Sequence, residues 1–96
     1  KIVILDPDWV EAWNKRATAR YFADDYTGAM SDIGEVLKRE PRHFGALSGM
    51  GFILLKSGMD RRALEVFRKT LEIYPGLDEI QKQTDQLTPE LEGRPI

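Results

Sequence analysis

Pro7, Pro41 and Pro75 recur at an interval of 34 residues, and each closes a stretch of helical patterning, at Asp6-Pro7, Glu40-Pro41 and Tyr74-Pro75. A fixed period of this size marks a chain built from stacked supersecondary units, none of which can bury its apolar face alone. The residues between the prolines keep the same register. Trp13 aligns with Leu47, Ala17 with Gly51, Ala29 with Ala63, Ile33 with Phe67, and Val36 with Thr70. Matching residue classes at matching offsets tie the period to packing, and not only to punctuation by proline.

With 96 residues the chain makes one small domain, able to bury about two-thirds of its unfolded surface but not a deep core. Acidic and basic residues are intermixed and the net charge is −2, so no concentrated basic face marks a nucleic-acid binder. The absence of cysteine excludes disulfide frameworks, thiol catalysis and cysteine-bound zinc, and fits either redox compartment. No run approaches the roughly 20 apolar residues of a membrane span. Lys1–Leu5 is too short for a signal-peptide core and lacks a cleavage site. The expectation is that the chain begins inside a larger protein, in the last turns of an earlier helix.

Asp8-Trp9-Val10-Glu11 has the spacing of a capping box, which predicts a helix from about Trp9 to Phe22. Ala23-Asp24-Asp25 reads as a turn, with Asp25 the N-cap of a second helix to about Arg39, ended by Pro41. The pattern then repeats: a helix over about Phe44 to Lys56, a turn at Ser57-Gly58 with glycine in the left-handed position, and a helix from about Asp60 to Tyr74. A fifth helix, about Leu77 to Leu87, sets Leu77, Ile80, Thr84 and Leu87 on one stripe, as a polar-faced terminal cap requires. Thr88-Pro89-Glu90 predicts a break and Gly93–Ile96 a loose tail. No period-two alternation persists, so no strand is expected.

These residues resemble the tetratricopeptide repeat (TPR) family of 34-residue helix–turn–helix modules. The motif reads Trp13, Ala17, Tyr26, Ala29, Ile33, Val36 and Pro41 in one unit, and Leu47, Gly51, Leu54, Ala63, Phe67, Thr70 and Pro75 in the next. The resemblance covers about three-quarters of the chain. It implies an all-α, right-handed α-α superhelix of tandem antiparallel helix pairs, a TPR solenoid. Residues 1–7 end a preceding repeat, 8–42 and 43–76 are two units, 77–88 is a capping helix, and 89–96 is a tail. The segment Glu40–Gly49 is also similar to a group of small bacterial TPR proteins, many of them exported, and that likeness alone leans toward the periplasm.

The inner face of such an array is lined by the first helix of each unit. Helical geometry turns Glu11, Asn14, Lys15, Thr18, Tyr21 and Phe22 inward, then Gly45, Ser48, Gly49, Phe52, Leu55 and Lys56. Tyr21, Phe22, Phe52 and Leu55 would form an apolar floor, with Asn14, Lys15, Thr18, Ser48 and Lys56 as orienting polar groups for an extended peptide or a helix. The bland reading is that Phe22 and Phe52 pack against the cap or a neighbouring unit. Chaperone-tail-binding TPRs are similar to one another in a Lys/Asn carboxylate clamp; Asn14, Thr18 and Gly49 stand where its Lys and two Asn residues are expected, so the clamp is absent.

Arg16 and Arg20, one turn apart, occupy positions that are usually apolar in the family. Buried guanidinium groups need partners, and Asp32, Glu35 or backbone carbonyls are available; the functional alternative is an anion contact. Gly49-x-Gly51 lies within a helix and follows no strand, which rules out a dinucleotide loop. Gly45 and Gly49 suggest close approach by a partner backbone or another helix, against tolerated drift. His43 is expected as a solvated cap residue. The basic stretch Arg61, Arg62, Arg68 and Lys69 interleaves with Glu65 and Glu72 as a solvated outer face.

The expected function is a non-catalytic interaction module or scaffold for a protein or peptide partner, with no cofactor or metal, no nucleic acid and no membrane span. A second reading is self-assembly into a homo-oligomer through an uncovered N-terminal edge at Ile2, Val3, Ile4 and Leu5. A third is an RNA-binding helical repeat resembling the pentatricopeptide class, whose period is longer.

Overall fold

The computed structural model describes residues 9–92, with side chains through residue 89. Five helices follow in order: α1 (Val10–Phe22), α2 (Tyr26–Arg39), α3 (Phe44–Lys56), α4 (Asp60–Ile73) and α5 (Asp78–Glu92). The starts of α1, α3 and α5 are 34 residues apart, as are those of α2 and α4, so the proline period is also the structural period. Short turns fold α1 back on α2 and α3 back on α4. The pairs then stack, α2 against α3, α1 against α3, and α5 against α4. The described residues form an all-α solenoid with no strand.

Local chemistry sets the turns. Asp25 caps α2 by accepting the Gly28 N–H at 2.9 Å. The two tight turns each need one left-handed residue, and the chain supplies Asp24 (φ 63°) and, 34 positions on, Gly58 (φ 77°). Glycine adopts this conformation freely, and aspartate is among the side chains that tolerate it. Asp24 also accepts a hydrogen bond from the Tyr26 hydroxyl at 3.1 Å.

The repeat-equivalent positions make the core. Ala17, Ala29, Ile33 and Val36 are buried in the first pair, and Gly51, Ala63, Phe67 and Thr70 in the second. The two fillings differ. In the second pair the larger Phe67 ring occupies the space where a Cβ on residue 51 would stand, so only glycine fits there. The first pair uses Ala17 opposite the smaller Ile33. Thr70 replaces Val36 without leaving a polar orphan, because its hydroxyl donates to the Val66 carbonyl at 2.8 Å.

Two expectations need correction. Helix α1 begins at Val10 with Trp9 as its N-cap and no side-chain cap bond. Asp8, and with it the expected capping box, lies outside the described residues, and one Glu11 carboxylate oxygen lies 2.8 Å from His43 Nε2. Second, the helix expected to stop at Leu87 continues through Pro89 to Glu92. Leu87 is buried against α4, the Thr88 hydroxyl donates to the Thr84 carbonyl at 2.7 Å, and Arg68 of α4 donates to that hydroxyl at 3.3 Å. These bonds and the buried leucine hold the last turns helical although proline cannot donate its own bond. Of the partners expected for Arg16 and Arg20, Asp32 and a backbone carbonyl are taken and Glu35 is not, as described below. Ile2–Leu5 and Gly93–Ile96 lie outside the described residues.

Candidate binding groove

Helices α1 and α3 run side by side along one face, and an open trough of about 380 Å³ lies between them. Asn14, Thr18, Tyr21 and Phe22 form one wall and Gly45, Gly49 and Phe52 the other, over a floor of Ala17, Ile33 and Ile53. The walls are aromatic at one end. Tyr21 meets Phe22 edge to face with ring centres 5.3 Å apart, and Phe52 meets Phe67 of α4 at the same distance. Phe52 is therefore half anchored in its own pair. Phe22 is not, and its ring stands 78% exposed at the rim.

The sequence expectation is met unevenly at this trough. Asn14, Thr18, Tyr21, Phe22 and Phe52 line it; Lys15, Ser48, Leu55 and Lys56 do not. Leu55 packs with the cluster around Leu54, Phe67 and Ile80, and the Ser48 hydroxyl oxygen is buried without a hydrogen-bond partner. Both are turned from the trough toward the protein interior. Lys15 and Lys56 are exposed outside it. The Thr18 hydroxyl donates to the Asn14 carbonyl at 3.1 Å.

Ile33 is a core position, as its register implies, and this buried α2 side chain also underlies the floor of the trough. The signal for this close packing was the Gly45/Gly49 pair. A Cβ on Gly49 would stand 3.2 Å from Ile33 Cδ1, and one on Gly45 would stand 2.9 Å from Asn14 Nδ2. The close approach that these glycines suggested is made by helices of the same chain.

The two arginines share a buried carboxylate. Arg16 grips Asp32 through two hydrogen bonds, Nε to Oδ2 at 2.9 Å and the terminal amine to Oδ1 at 2.8 Å. Arg20 reaches both Asp32 oxygens and the Gly28 carbonyl at 3.3 Å, and its Nε lies 3.7 Å from Asp25. The Asp32 side chain is 1% exposed and that of Arg16 is 42% exposed. Asp32 thus already fills the position that an external anion would take. Its hydrogen bonds hold the Arg16 guanidinium above its ordinary pKa against the opposing effect of burial.

Glu35 is engaged elsewhere. Arg39 bonds it at 2.8 Å and Lys38 lies 3.5 Å away, and these cations, Arg39 first, pull its carboxyl below the ordinary range. The Arg16 and Arg39 guanidinium groups stand 5.2 and 5.7 Å from the centre of the Trp13 ring.

His43 caps α3 but is not solvated. Its Nδ1 accepts the Ala46 N–H at 3.1 Å, its Nε2 lies 2.8 Å from Glu11 Oε2, and its side chain is 11% exposed. The Tyr74 hydroxyl donates to the Arg42 carbonyl in the neighbouring turn. Among the described residues no cluster of three or more histidine, aspartate or glutamate side chains could hold a metal ion. Among them too, no helix is long and apolar enough to cross a membrane.

Antiparallel helix pairs repeated in one register, stacked by their apolar sides and lining a shared trough, define a helical-repeat solenoid. No family model matches the chain. A TPR repeat-containing protein of Rhizobium etli is 46% identical over 91 residues, which cover 95% of this chain and 45% of the relative. The chain belongs to the tetratricopeptide repeat family, whose helical repeats serve as protein-interaction modules. It spans a little under half the length of that relative.

Proposed function

We propose that the trough between α1 and α3 is the binding surface of a non-catalytic interaction module, and that it receives an extended or helical segment of a partner protein. The observation that carries this reading is Phe22. A large apolar ring 78% exposed at the mouth of an apolar trough gains by burial only when something is laid beside it. Tyr21, Phe22 and Phe52 supply the apolar anchors, and Asn14 and Thr18 the polar groups along one wall.

Pull-down with the full-length protein tests the reading, comparing Phe22→Ala and Phe52→Ala with the unmodified chain. Phe22→Ala is the cleaner variant, because an exposed ring can be removed with a stability change within about 0.5 kcal/mol. The expected outcome is loss of a partner by both variants with the melting curve of Phe22→Ala unchanged. Retention of every partner by both variants rejects the trough as the binding surface.

A further inference from the structure

The geometry points to His43 as the pin that joins the two helix pairs and sets the spacing of α1 and α3 at one end of the trough. Three observations meet at this residue. Its Nδ1 accepts the Ala46 N–H at 3.1 Å, so that nitrogen carries no proton. Its Nε2 lies 2.8 Å from the Glu11 carboxylate, so that nitrogen carries the proton and donates it across from α3 to α1. The ring also packs beside the contact between α3 and the Asn14 side chain of α1: a Cβ on Gly45 would stand 3.2 Å from His43 Cε1 and 2.9 Å from Asn14 Nδ2.

The two bonds work as a unit. Histidine can hold one nitrogen as acceptor and the other as donor only as the neutral Nε2–H tautomer. In that form one side chain fixes the first turn of α3 and ties it to the first turn of α1. The residue 34 positions earlier, Trp9, makes no cap bond, so the pin is a feature of this junction and not of the repeat. Asn14 and Gly45 both line the trough, and the pin therefore acts on its width through them. His43 is a positioning residue, and its role does not depend on what fills the trough.

The chain has no cysteine, so spin labels can be placed at Lys15→Cys and Lys56→Cys alone, one on each helix and both outside the trough. In the full chain the parent and Glu11→Gln, which keeps an acceptor for Nε2–H, should give the same narrow distance distribution. Glu11→Ala should broaden it with unchanged helicity by circular dichroism. His43→Asn should do the same, because asparagine can cap Ala46 but cannot reach Glu11; if Glu11→Ala loses helicity, His43→Asn decides alone. Nitrogen-15 shifts of the uncharged imidazole should report the Nε2–H tautomer. Superposable distributions for the parent and the deciding variant, or an Nδ1–H tautomer, overturn the proposal.

Discussion

Asp32 is the one charged side chain fully buried among the described residues, and the two arginines above it differ from it in their access to water. That asymmetry sets the order of mutational costs. Removing the carboxylate with Asp32→Asn leaves guanidinium groups that can still reach solvent, at a cost of about 1.5–3 kcal/mol for the lost charged hydrogen bonds. Removing both arginines, as Arg16→Met with Arg20→Leu, strands a buried carboxylate and should cost about 3–5 kcal/mol. Urea unfolding of the two variants checks the order, and equal costs would contradict it. Glu35 belongs to a different class. Its folded pKa is lowered, so its pairing stabilises the protein above the unfolded carboxylate range and is lost as pH falls through the folded value. Arg39→Ala should raise the Glu35 pKa toward its ordinary value, read by NMR titration of its carboxyl carbon. The choice of Asp32 over Glu35 was legible in part, since Ala29, Ile33 and Val36 put residue 32 on the buried stripe. The His43–Glu11 bond was not, because it joins residues 32 apart through a spacing of helices that no local pattern encodes.

The sequence showed which positions correspond from one hairpin to the next, Ala17 with Gly51 and Ile33 with Phe67, but not which side chains meet within a hairpin. The mutual dependence of Gly51 and Phe67 was not legible, because the direction of the Phe67 ring is a packing outcome. Alanine at position 51 would add about 1 kcal/mol of helix propensity. It would also drive a methyl into the Phe67 ring, and overpacking of this kind costs about 1–3 kcal/mol. Gly51→Ala should therefore be neutral to destabilising despite its better helix propensity. Combined with Phe67→Ile it recreates the first hairpin's filling, and the double variant should be more stable than the sum of the singles predicts. A double-mutant cycle in urea measures the coupling. At α5 the local signal failed for another reason. Pro89 speaks for a break, but the buried Leu87 and the Arg68–Thr88 bond are tertiary, and they extend the helix past it.

Across the whole molecule, each layer finishes the burial of its neighbour, and α5 does this for α4 through Ile80, Thr84 and Leu87. A chain ending at residue 76 should lose about 1.5–3 kcal/mol for each large apolar side chain that α5 no longer buries or covers. It should unfold at lower urea and bind a dye for exposed apolar surface; an unchanged urea midpoint would show that α5 covers nothing essential. The repeat period made this order of layers legible from the outset, since only the 34-residue register was needed. The trough was less legible. Its floor includes Ile33 from a second helix, and Ser48 and Leu55 turn away from it although both sit on the first helix of their pair.

The unlike fillings of the two hairpins also bear on how such a gene can change. Unequal exchange between two copies would lengthen or shorten the array. A crossover near Pro41 or Pro75 moves a hairpin whole and keeps Gly51 with Phe67. A crossover inside the tight turns, at Asp24 or Gly58, would join α1 to α4 or α3 to α2. The first product sets Ala17 against the Phe67 ring and is overfilled; the second sets Gly51 against Ile33 and leaves a void. Exchange at the boundaries between hairpins thereby keeps both fillings intact, whereas exchange inside the tight turns carries a packing cost.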